Sequence, residues 1–559
     1  MTKRALYSEK PWLAHYDKGV PAAVNYRDET LVDFLDYAAK NFTDRDAFIS
    51  QGYAMTFGAL RDAAYRFAAC LADFGVKKGD SVALHLPNLI QTVAAYYGIL
   101  KIGARAVMNN PLYSAGELEY QFNDSESKVL VTLDLFANGM IDLRPKTGIR
   151  QIVYVSLKDY LPPDADPSKV FAADPKEAEN LYRWTDIMKK YSPTPPTVPI
   201  SMDDIAMLQY TGGTTGVSKA AVLTHANLSK QIQQIDAWDT SIERGAVCKI
   251  TGFLPFFHVY GLSTVMNLTV YYGFTCCLSG RPTPEVIYDI LKKYRPEIVA
   301  MVPTMFIGLL QHPEFDALDL SFVKRIVSGS APLPVEVFNE FANRSGAKIS
   351  EGFGMTEASP VTHANPFDGI QKTGSIGLPY PDTECRIVDL DTGEKEVPAG
   401  EPGELIIRGP QVMQGYWKKP EETKNTIRNG WLFTGDIATM DDEGYFYIVD
   451  RKKDMILSGG YNVYPRDIDE VLFAHPKVME ACSIGVPHPS RGEQIKAFVV
   501  LKEGESATEK EIVDYCATKL ATYKLPTHVE FRKELPKSTV GKILRKELRA
   551  EELRKGHTA

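Results

Sequence analysis

The sequence predicts an α/β protein. It has a large, multi-layered N-terminal domain, made of two doubly wound α/β subdomains and a small β-rich subdomain, and a small α+β C-terminal domain. Two observations predict this class. Runs with helical spacing alternate with short β-branched runs over residues 31–328, which is typical of parallel strands joined by right-handed helical crossovers. From Glu384 onward, short strands separated by turn residues indicate the β-rich subdomain.

The individual elements follow from local spacing. Helical spacing of apolar residues predicts helices over 31–48, 57–74 and 89–102. Strand-like runs occupy 82–86, 104–108, 128–132, 149–155, 249–254, 298–302 and 324–328. Residues 161–197 are rich in Pro, Asp and Lys, and we predict a surface connection anchored by Trp184.

The charge-dense run DRKKD at residues 450–454 follows an apolar strand-like run and precedes a compact α+β segment. We therefore place a domain boundary there, with an N-terminal domain at 1–452 and a C-terminal domain at 453–559. The tail from Glu547 is predicted to be a charged helix or a disordered end.

Composition excludes several classes of protein. A net charge of −8 argues against nucleic acid as a main partner. The seven cysteines show no C-x-x-C pairing, which fits neither a zinc site nor a disulfide framework and favours a reducing cytoplasm. Neither a signal peptide nor a C-terminal Ser-Lys-Leu is present, so we expect a cytoplasmic protein. The oligomeric state stays open.

The stretch 250–280 contains no Asp, Glu, Lys or Arg, and its length alone would admit a membrane span. Pro255, His258 and Asn267 make it too polar for a helix that faces lipid. We predict a buried helix and strand beside a binding pocket, and peripheral contact with a membrane remains open.

The segment from Tyr210 to His225, YTGGTTGVSKAAVLTH, concentrates backbone donors and hydroxyls between two apolar runs. Its glycines allow main-chain N–H groups to close on an oxyanion, and Lys219 adds a positive charge. Two residues separate the last glycine from the lysine, which excludes a Walker A loop. The predicted phosphate-binding residues are Thr211, Gly212, Gly213, Thr214, Thr215, Gly216 and Lys219.

This loop resembles the signature of the adenylate-forming enzymes, which include acyl-CoA synthetases, peptide-synthetase adenylation domains and beetle luciferases. Further motifs follow in the family's order, and the chain most resembles bacterial medium- and long-chain fatty-acid CoA ligases. The resemblance implies an acid–thiol ligase that uses ATP, Mg²⁺ and CoA. It would form an acyl-adenylate and pyrophosphate first, then the thioester and AMP.

The resemblance also implies a nucleotide site. Glu357, in EGFGMTE, would hold Mg²⁺ beside Thr356, although an isolated Thr-Glu pair is more often a helix start. Asp436, in WLFTGD, and Arg451 would bind ribose, whereas local sequence alone suggests a turn and a surface charge. The remaining nucleotide contacts would be Ser328, Gly329, Ser330, Ala331, Gly352, Phe353, Gly354, Met355 and Ile448.

The catalytic residues are also inferred from the resemblance. Lys542, in LPKSTVGKILR, would bridge the carboxylate and the α-phosphate, and His258 would position the acid, although a lone histidine in an apolar run is more often structural. The small domain would rotate between the two half-reactions about Lys453. The rotation would bring a short segment to the pantetheine tunnel, namely Ser458, Gly459, Gly460 and Tyr461. Local sequence alone suggests a simple hairpin turn there.

Several alternatives remain open at this stage. The acid could be short, cyclic or aromatic, the reaction could run toward ATP, and a luciferase-like enzyme shares the motifs. An amino-acid-adenylating module is disfavoured, because FFHVYG lacks an aspartate for the amine. A non-enzymatic nucleotide-binding protein is disfavoured by the intact Glu357, Asp436 and Lys542.

Overall fold

This computed structural model describes residues 7–211, 218–458, 461–488, 492–538 and 541–556. The strands in those ranges are β1 (Asp46–Ser50), β2 (Tyr53–Thr56), β3 (Ser81–His85), β4 (Arg105–Asn109), β5 (Ser127–Leu133), β6 (Gln151–Val155), β7 (Leu181–Arg183), β8 (Ile205–Thr211), β9 (Lys219–Thr224), β10 (Lys249–Gly252), β11 (Thr275–Leu278), β12 (Ile298–Met301), β13 (Arg325–Ser328), β14 (Ile349–Gly354), β15 (Val361–Ala364), β16 (Leu378–Pro379), β17 (Glu384–Val388), β18 (Gly403–Arg408), β19 (Ile427–Arg428), β20 (Trp431–Met440), β21 (Phe446–Arg451), β22 (Ile456–Ser458), β23 (Tyr461–Val463), β24 (Val478–His488), β25 (Gly492–Leu501) and β26 (His528–Phe531).

The helices in the same ranges are α1 (Leu31–Asn41), α2 (Phe57–Asp73), α3 (Ile90–Lys101), α4 (Ala115–Asp124), α5 (Asp134–Leu143), α6 (Trp184–Lys190), α7 (His225–Trp238), α8 (Val259–Gly261), α9 (Leu268–Tyr272), α10 (Pro284–Tyr294), α11 (Pro303–Leu310), α12 (Val335–Ser345), α13 (Pro420–Thr426), α14 (Pro465–Phe473), α15 (Glu509–Ala517) and α16 (Arg545–Gly556). A π-helical segment, Leu262–Asn267, joins α8 to α9.

Two mainly parallel sheets form the body of the N-terminal part. The first has the order β7-β6-β5-β3-β4-β8-β9, with β9 antiparallel to β8. The second has the order β16-β15-β14-β13-β12-β10-β11-β1-β2, with antiparallel strands at both edges. One hydrophobic cluster joins α1, α2 and α3 to both sheets. Helices between two parallel sheets make the predicted layered α/β architecture.

Two smaller sheets follow. Strands β17, β18, β20, β19 and β21 form an antiparallel sheet, which is the predicted β-rich subdomain. Strands β22 to β26 form a separate sheet with its own hydrophobic cluster, on which α14 and α15 pack. The charged tail after Glu547 continues α16.

Helix starts follow local capping chemistry. Thr30 accepts a hydrogen bond from the Asp33 amide while the Asp33 carboxylate accepts one from the Thr30 amide, which fixes the start of α1. Thr224 and Asn227 form the same arrangement at α7, directly after β9. This capping fixes the point at which β9 ends and α7 begins.

Two predicted elements differ from the structure. The helix predicted over 31–48 ends at Asn41, and Phe48 lies in β1, because it pairs with the distant Cys276 of β11. The connection predicted over 161–197 contains β7 and α6. Trp184 begins α6 as a fully buried residue against Phe67, so the predicted anchor is present.

The uncharged stretch 250–280 forms β10, the α8–π–α9 helix and β11, which is the predicted buried helix and strand. Across the described ranges, no helix combines the length and the apolar character needed to cross a membrane.

Candidate active site

A cavity of about 1540 Å³ lies at the carboxyl ends of the parallel strands. The part of the chain from β22 onward, the last domain, covers them there. Ligands of open α/β sheets bind at this edge. The volume exceeds the usual range for one small ligand, about 300–1,000 Å³. The predicted site residues that line it are Thr211, Lys219, His258, Ser328, Gly329, Ser330, Gly352, Phe353, Gly354, Met355, Thr356, Glu357, Arg451, Lys453 and Lys542.

The signature segment is a β-hairpin. Strands β8 and β9 pair antiparallel with Thr211 opposite Lys219, as expected for a loop between two strands. The Thr211 hydroxyl donates to the Lys219 carbonyl at 3.4 Å, and the Lys219 ammonium pairs with Glu422 of α13. The loop residues Gly212, Gly213, Thr214, Thr215 and Gly216 lie outside the described residues.

Glu357 lies just beyond β14, in a short 3₁₀ turn. The Tyr416 hydroxyl donates to its Oε1 at 2.7 Å, and the Met413 amide donates to its backbone carbonyl at 2.8 Å. The carboxylate is thus oriented toward the cavity that Thr356 also lines. Phe353, near the end of β14, presents a ring that can stack on a base but cannot hydrogen-bond to it.

Asp436 and Arg451 face each other on neighbouring strands, β20 and β21. Arg451 Nε lies 2.7 Å from Asp436 Oδ1, while the buried Oδ2 has no hydrogen-bond partner among the described residues. Burial raises the pKa of Asp436, and Arg451 and Lys542 oppose that rise. Asp436 is only 3% exposed and is not among the residues that line the cavity, whereas its partner Arg451 lines it. A buried carboxylate oxygen that has no hydrogen-bond donor beside it can accept a hydrogen bond from the hydroxyl of a bound ligand.

Lys542 extends from the last domain into the cavity. Its backbone amide donates to Ser538 Oγ at 3.1 Å, and Gly541 beside it adopts a positive φ of 73°. A Cβ at Gly541 would lie 2.4 Å from Thr304 Oγ1, so glycine allows this close approach to α11 without a shift of the Thr304 side chain. The ammonium is accessible within the cavity but enclosed by protein, and this enclosure, together with Arg451, lowers its pKa to about 8.

His258 caps α8. Its Nδ1 accepts the Tyr260 amide at 3.2 Å, so the neutral ring carries its proton on Nε2. Burial, with a smaller effect of Lys542, lowers the pKa of His258 to about 4. A neutral imidazole in the cavity can donate to a carboxylate without adding charge.

An apolar branch of the cavity runs along the second sheet. Val327, Ala300, Ile298 and Ile250 line it from the strands, and Arg325 stands at its far end. From Ser328 to Arg325 the strand rise gives a length of about 10 Å. The Arg325 guanidinium is paired with Asp239 at 3.0 Å and with Asp368 at 3.2 Å.

The side chains present fit a Mg²⁺ ion that is held chiefly by phosphate oxygens. Mg²⁺ commonly takes one or two carboxylates plus substrate phosphates, and Glu357 supplies one oriented carboxylate at the cavity. The described ranges contain no group of three His, Cys, Asp or Glu side chains that could form a protein cage for a metal.

Some predicted residues lie apart from the cavity. Ser458 is buried in β22 opposite Tyr461, and Tyr461 is 55% exposed and stacks on Tyr523 at 4.5 Å. Ala331 and Ile448 do not line the cavity either. Gly459 and Gly460 lie outside the described residues. Lys542 therefore lines the cavity, whereas Ser458 and Tyr461 do not.

Sequence reasoning missed the residues that support this site. Tyr416 orients Glu357, and Tyr260 packs where a Cβ of Gly329 would lie, 3.0 Å from its ring. Ser538 caps the lysine segment. The sequence carried one signal for Tyr416, because this residue lies in the run RGPQVMQGYW. Its partner Glu357, however, is 59 residues away in the sequence.

Comparison with known proteins agrees with this arrangement. The family model described as "AMP-binding enzyme" matches residues 35–417, and "AMP-binding enzyme C-terminal domain" matches residues 467–542. The fold and cavity thus define an adenylate-forming enzyme, and the chain belongs to the AMP-binding enzyme family.

Two curated relatives are similar over nearly their whole length. The long-chain-fatty-acid–CoA ligase of Bacillus subtilis (strain 168) is 45% identical, with 99% of this chain and 100% of the relative covered. The ligase of the same name from Escherichia coli O6:H1 is 41% identical, with coverages of 97% and 98%.

Solved structures give the same result. The anthranilate CoA ligase AuaEII in complex with anthranoyl-AMP has a TM-score of 0.85 at 28% identity, with coverages of 95% and 98%. ATP-bound MatB from Rhodopseudomonas palustris has a TM-score of 0.83 at 30% identity, with coverages of 93% and 98%. The predicted family and α/β fold are confirmed.

Proposed function

We propose that this protein is an ATP-dependent, AMP-forming acyl-CoA synthetase that acts on long-chain fatty acids. The reaction class agrees with the family and with the two relatives named as long-chain-fatty-acid–CoA ligases. The choice of a long-chain acid rests on these two relatives, and one observation supports an aliphatic tail. The polar end of the cavity, at Lys542 and Glu357, continues into the apolar branch that ends at Arg325.

The first half-reaction needs charge neutralisation more than a covalent nucleophile. The acid carboxylate and the α-phosphate are both anions, and Lys542 would lie between them and lower their mutual repulsion. His258 would donate its Nε2 proton as a hydrogen bond to the carboxylate. Asp436 and Arg451 would bind the ribose hydroxyls, and Phe353 would stack on adenine.

Glu357 would hold Mg²⁺, with Tyr416 fixing the carboxylate. A bound Mg²⁺ would neutralise phosphate charge and aid departure of pyrophosphate. The second half-reaction would transfer the acyl group from the adenylate to the CoA thiol. For it, the 458–461 segment would replace the lysine segment at the cavity, with Lys453 at the hinge.

The acid preference is tested by measuring pyrophosphate release with ATP, Mg²⁺ and CoA over acetate to palmitate, benzoate and cyclohexanecarboxylate. Each methylene buried in the apolar branch contributes about 0.8 kcal/mol, or about fourfold in kcat/KM. We expect a rising series with a maximum at long linear acids. A maximum at a short or cyclic acid would retain the chemistry and contradict the long-chain assignment.

A further inference from the structure

A second depression lies at the opposite edge of the first sheet, where β3, β4 and β5 begin. It has a volume of about 450 Å³. Its lining residues are Asp80, Arg105, Phe122, Asn123, Glu126, Lys128, Gly148 and Arg150. None of them lines the active-site cavity. Its size falls within the range of small-ligand sites.

The depression is lined by the guanidinium of Arg105, which forms no salt bridge within the described ranges. Arg105 is 9% exposed, and its buried Nε has no hydrogen-bond partner within the described ranges. Burial lowers the pKa of Arg105. The negative charges of Glu126 and Asp80 oppose this effect, but without a hydrogen bond to the guanidinium. Buried charges in folded proteins are normally paired and hydrogen-bonded, because an unpaired one is costly to remove from water.

The acidic residues of the depression are already paired with other cations. Asp80 Oδ1 lies 2.7 Å from Lys128 Nζ, and Glu126 Oε1 lies 2.9 Å from Lys418 Nζ. Arg105 instead stacks on the Trp417 ring, 4.4 Å from its centroid. The stacking fixes the plane of the guanidinium but satisfies none of its N–H groups.

From this arrangement we propose that the depression binds a phosphate group, with Arg105 as its buried anchor and Arg150 at its rim. A guanidinium fork matches the oxygens of a phosphate in a bidentate way, and two cations without a paired carboxylate supply the charge. The group comes either from free inorganic phosphate or from a small phosphate monoester. This site is separate from the proposed reaction and does not depend on it.

The test is a titration of the full chain with inorganic phosphate while AMP and palmitate saturate the active site. Binding is followed by calorimetry and by tryptophan fluorescence, to which Trp417 contributes. We expect one saturable site in the wild type and in Lys189→Gln, a surface charge control. Arg105→Gln should lose binding at least 100-fold, and Trp417→Phe should lose the fluorescence change.

Arg150→Gln is the second variant, since an exposed residue can be replaced without disturbing the buried sheet edge. We expect about tenfold weaker phosphate binding, with the thermal melting of the protein without phosphate unchanged. Glycerol 3-phosphate is titrated in parallel. Equal or tighter binding identifies a monoester as the source, and preference for inorganic phosphate identifies the free ion. Equal phosphate affinity in wild type, Arg105→Gln and Arg150→Gln, or no saturable binding to wild type, would overturn the proposal.

Discussion

At the scale of single residues, the proposed adenylation step depends on one cation, Lys542, which lines the cavity. Lys542 is the lysine that the last domain inserts beside Arg451 and His258. We expect Lys542→Ala to slow acyl-adenylate formation about 10²- to 10³-fold, the typical loss for one preorganised charge donor. Pyrophosphate release from acid and ATP measures this step.

The same variant should convert supplied acyl-adenylate and CoA to acyl-CoA at nearly the wild-type rate. Lys533→Ala, which removes an exposed lysine outside the cavity, is the matched control and should leave both steps unchanged. Equal losses in both half-reactions would contradict the role proposed for Lys542.

The lowered pKa of Lys542 gives a pH dependence. A lysine is charged below its pKa, so the ammonium of the free enzyme is lost as pH rises through about 8. We expect kcat/KM for adenylation to fall above about pH 8, and Lys542→Arg to move that fall to higher pH. His258, with a pKa of about 4, stays neutral across this range. A pH profile unchanged in Lys542→Arg would assign the fall to another group.

Tyr416 provides a test of the proposed metal site. Its hydroxyl holds Glu357 Oε1 at 2.7 Å, and loss of such a supporting hydrogen bond typically costs about 10- to 100-fold in metal affinity. We expect Tyr416→Phe to raise the Mg²⁺ concentration for half-maximal pyrophosphate release by such a factor. Tyr120→Phe is the control, because Tyr120 also lines the cavity and its hydroxyl has no partner among the described residues. The same Mg²⁺ dependence in both variants would remove Glu357 from the metal site.

At the scale of elements, β22 and β23 carry the segment assigned to thioester formation. Tyr461 at its end is exposed and does not contact the cavity that holds Lys542. We expect Gly460→Leu to slow acyl-CoA formation from supplied acyl-adenylate while pyrophosphate release is retained. Leu457→Ala, on the exposed face of the same hairpin, should change neither step. Normal acyl-CoA formation by Gly460→Leu would show that this segment does not line the path of the thiol.

The sequence predicted those elements whose signal is local. Helix α2 and strands β3, β4 and β5 match the predicted runs closely, because apolar spacing alone specifies their buried faces. Strand β1 was missed, since it is held in the sheet between its hairpin partner β2 and the strand β11, which is more than 200 residues away. Non-local pairing of this kind overrides the local pattern.

For the candidate site, too, some residues have a local sequence signal and others depend on non-local contacts. Motifs identified Glu357, Asp436 and Lys542 through the family resemblance, yet the support from Tyr416, Ser538 and Thr304 depends on contacts between distant segments. The roles of these residues and the boundary at residue 452 stay predictions. The fold and the family are confirmed.

At the scale of the whole molecule, the proposed function uses two positions of the last domain, one for each half-reaction. Gly541 touches α11 in the position seen here, where its Cβ would lie 3.3 Å from Thr304 Cβ. A disulfide needs about 3.5–4.5 Å between these atoms, so a double variant, Thr304→Cys with Gly541→Cys, needs only a small shift to cross-link. The native cysteines in the described ranges are all buried, which limits competing oxidation.

We expect the oxidised double variant to release pyrophosphate in a single burst of about one equivalent and to form almost no acyl-CoA, because the lysine segment cannot leave. Reduction with dithiothreitol should restore turnover, and each single variant should be insensitive to oxidant. A positive φ makes Gly541→Cys locally strained, so the reduced enzyme is the reference for every rate. If the oxidised enzyme turned over as fast as the reduced one, both half-reactions would take place in the position seen here, and no domain rotation would be needed.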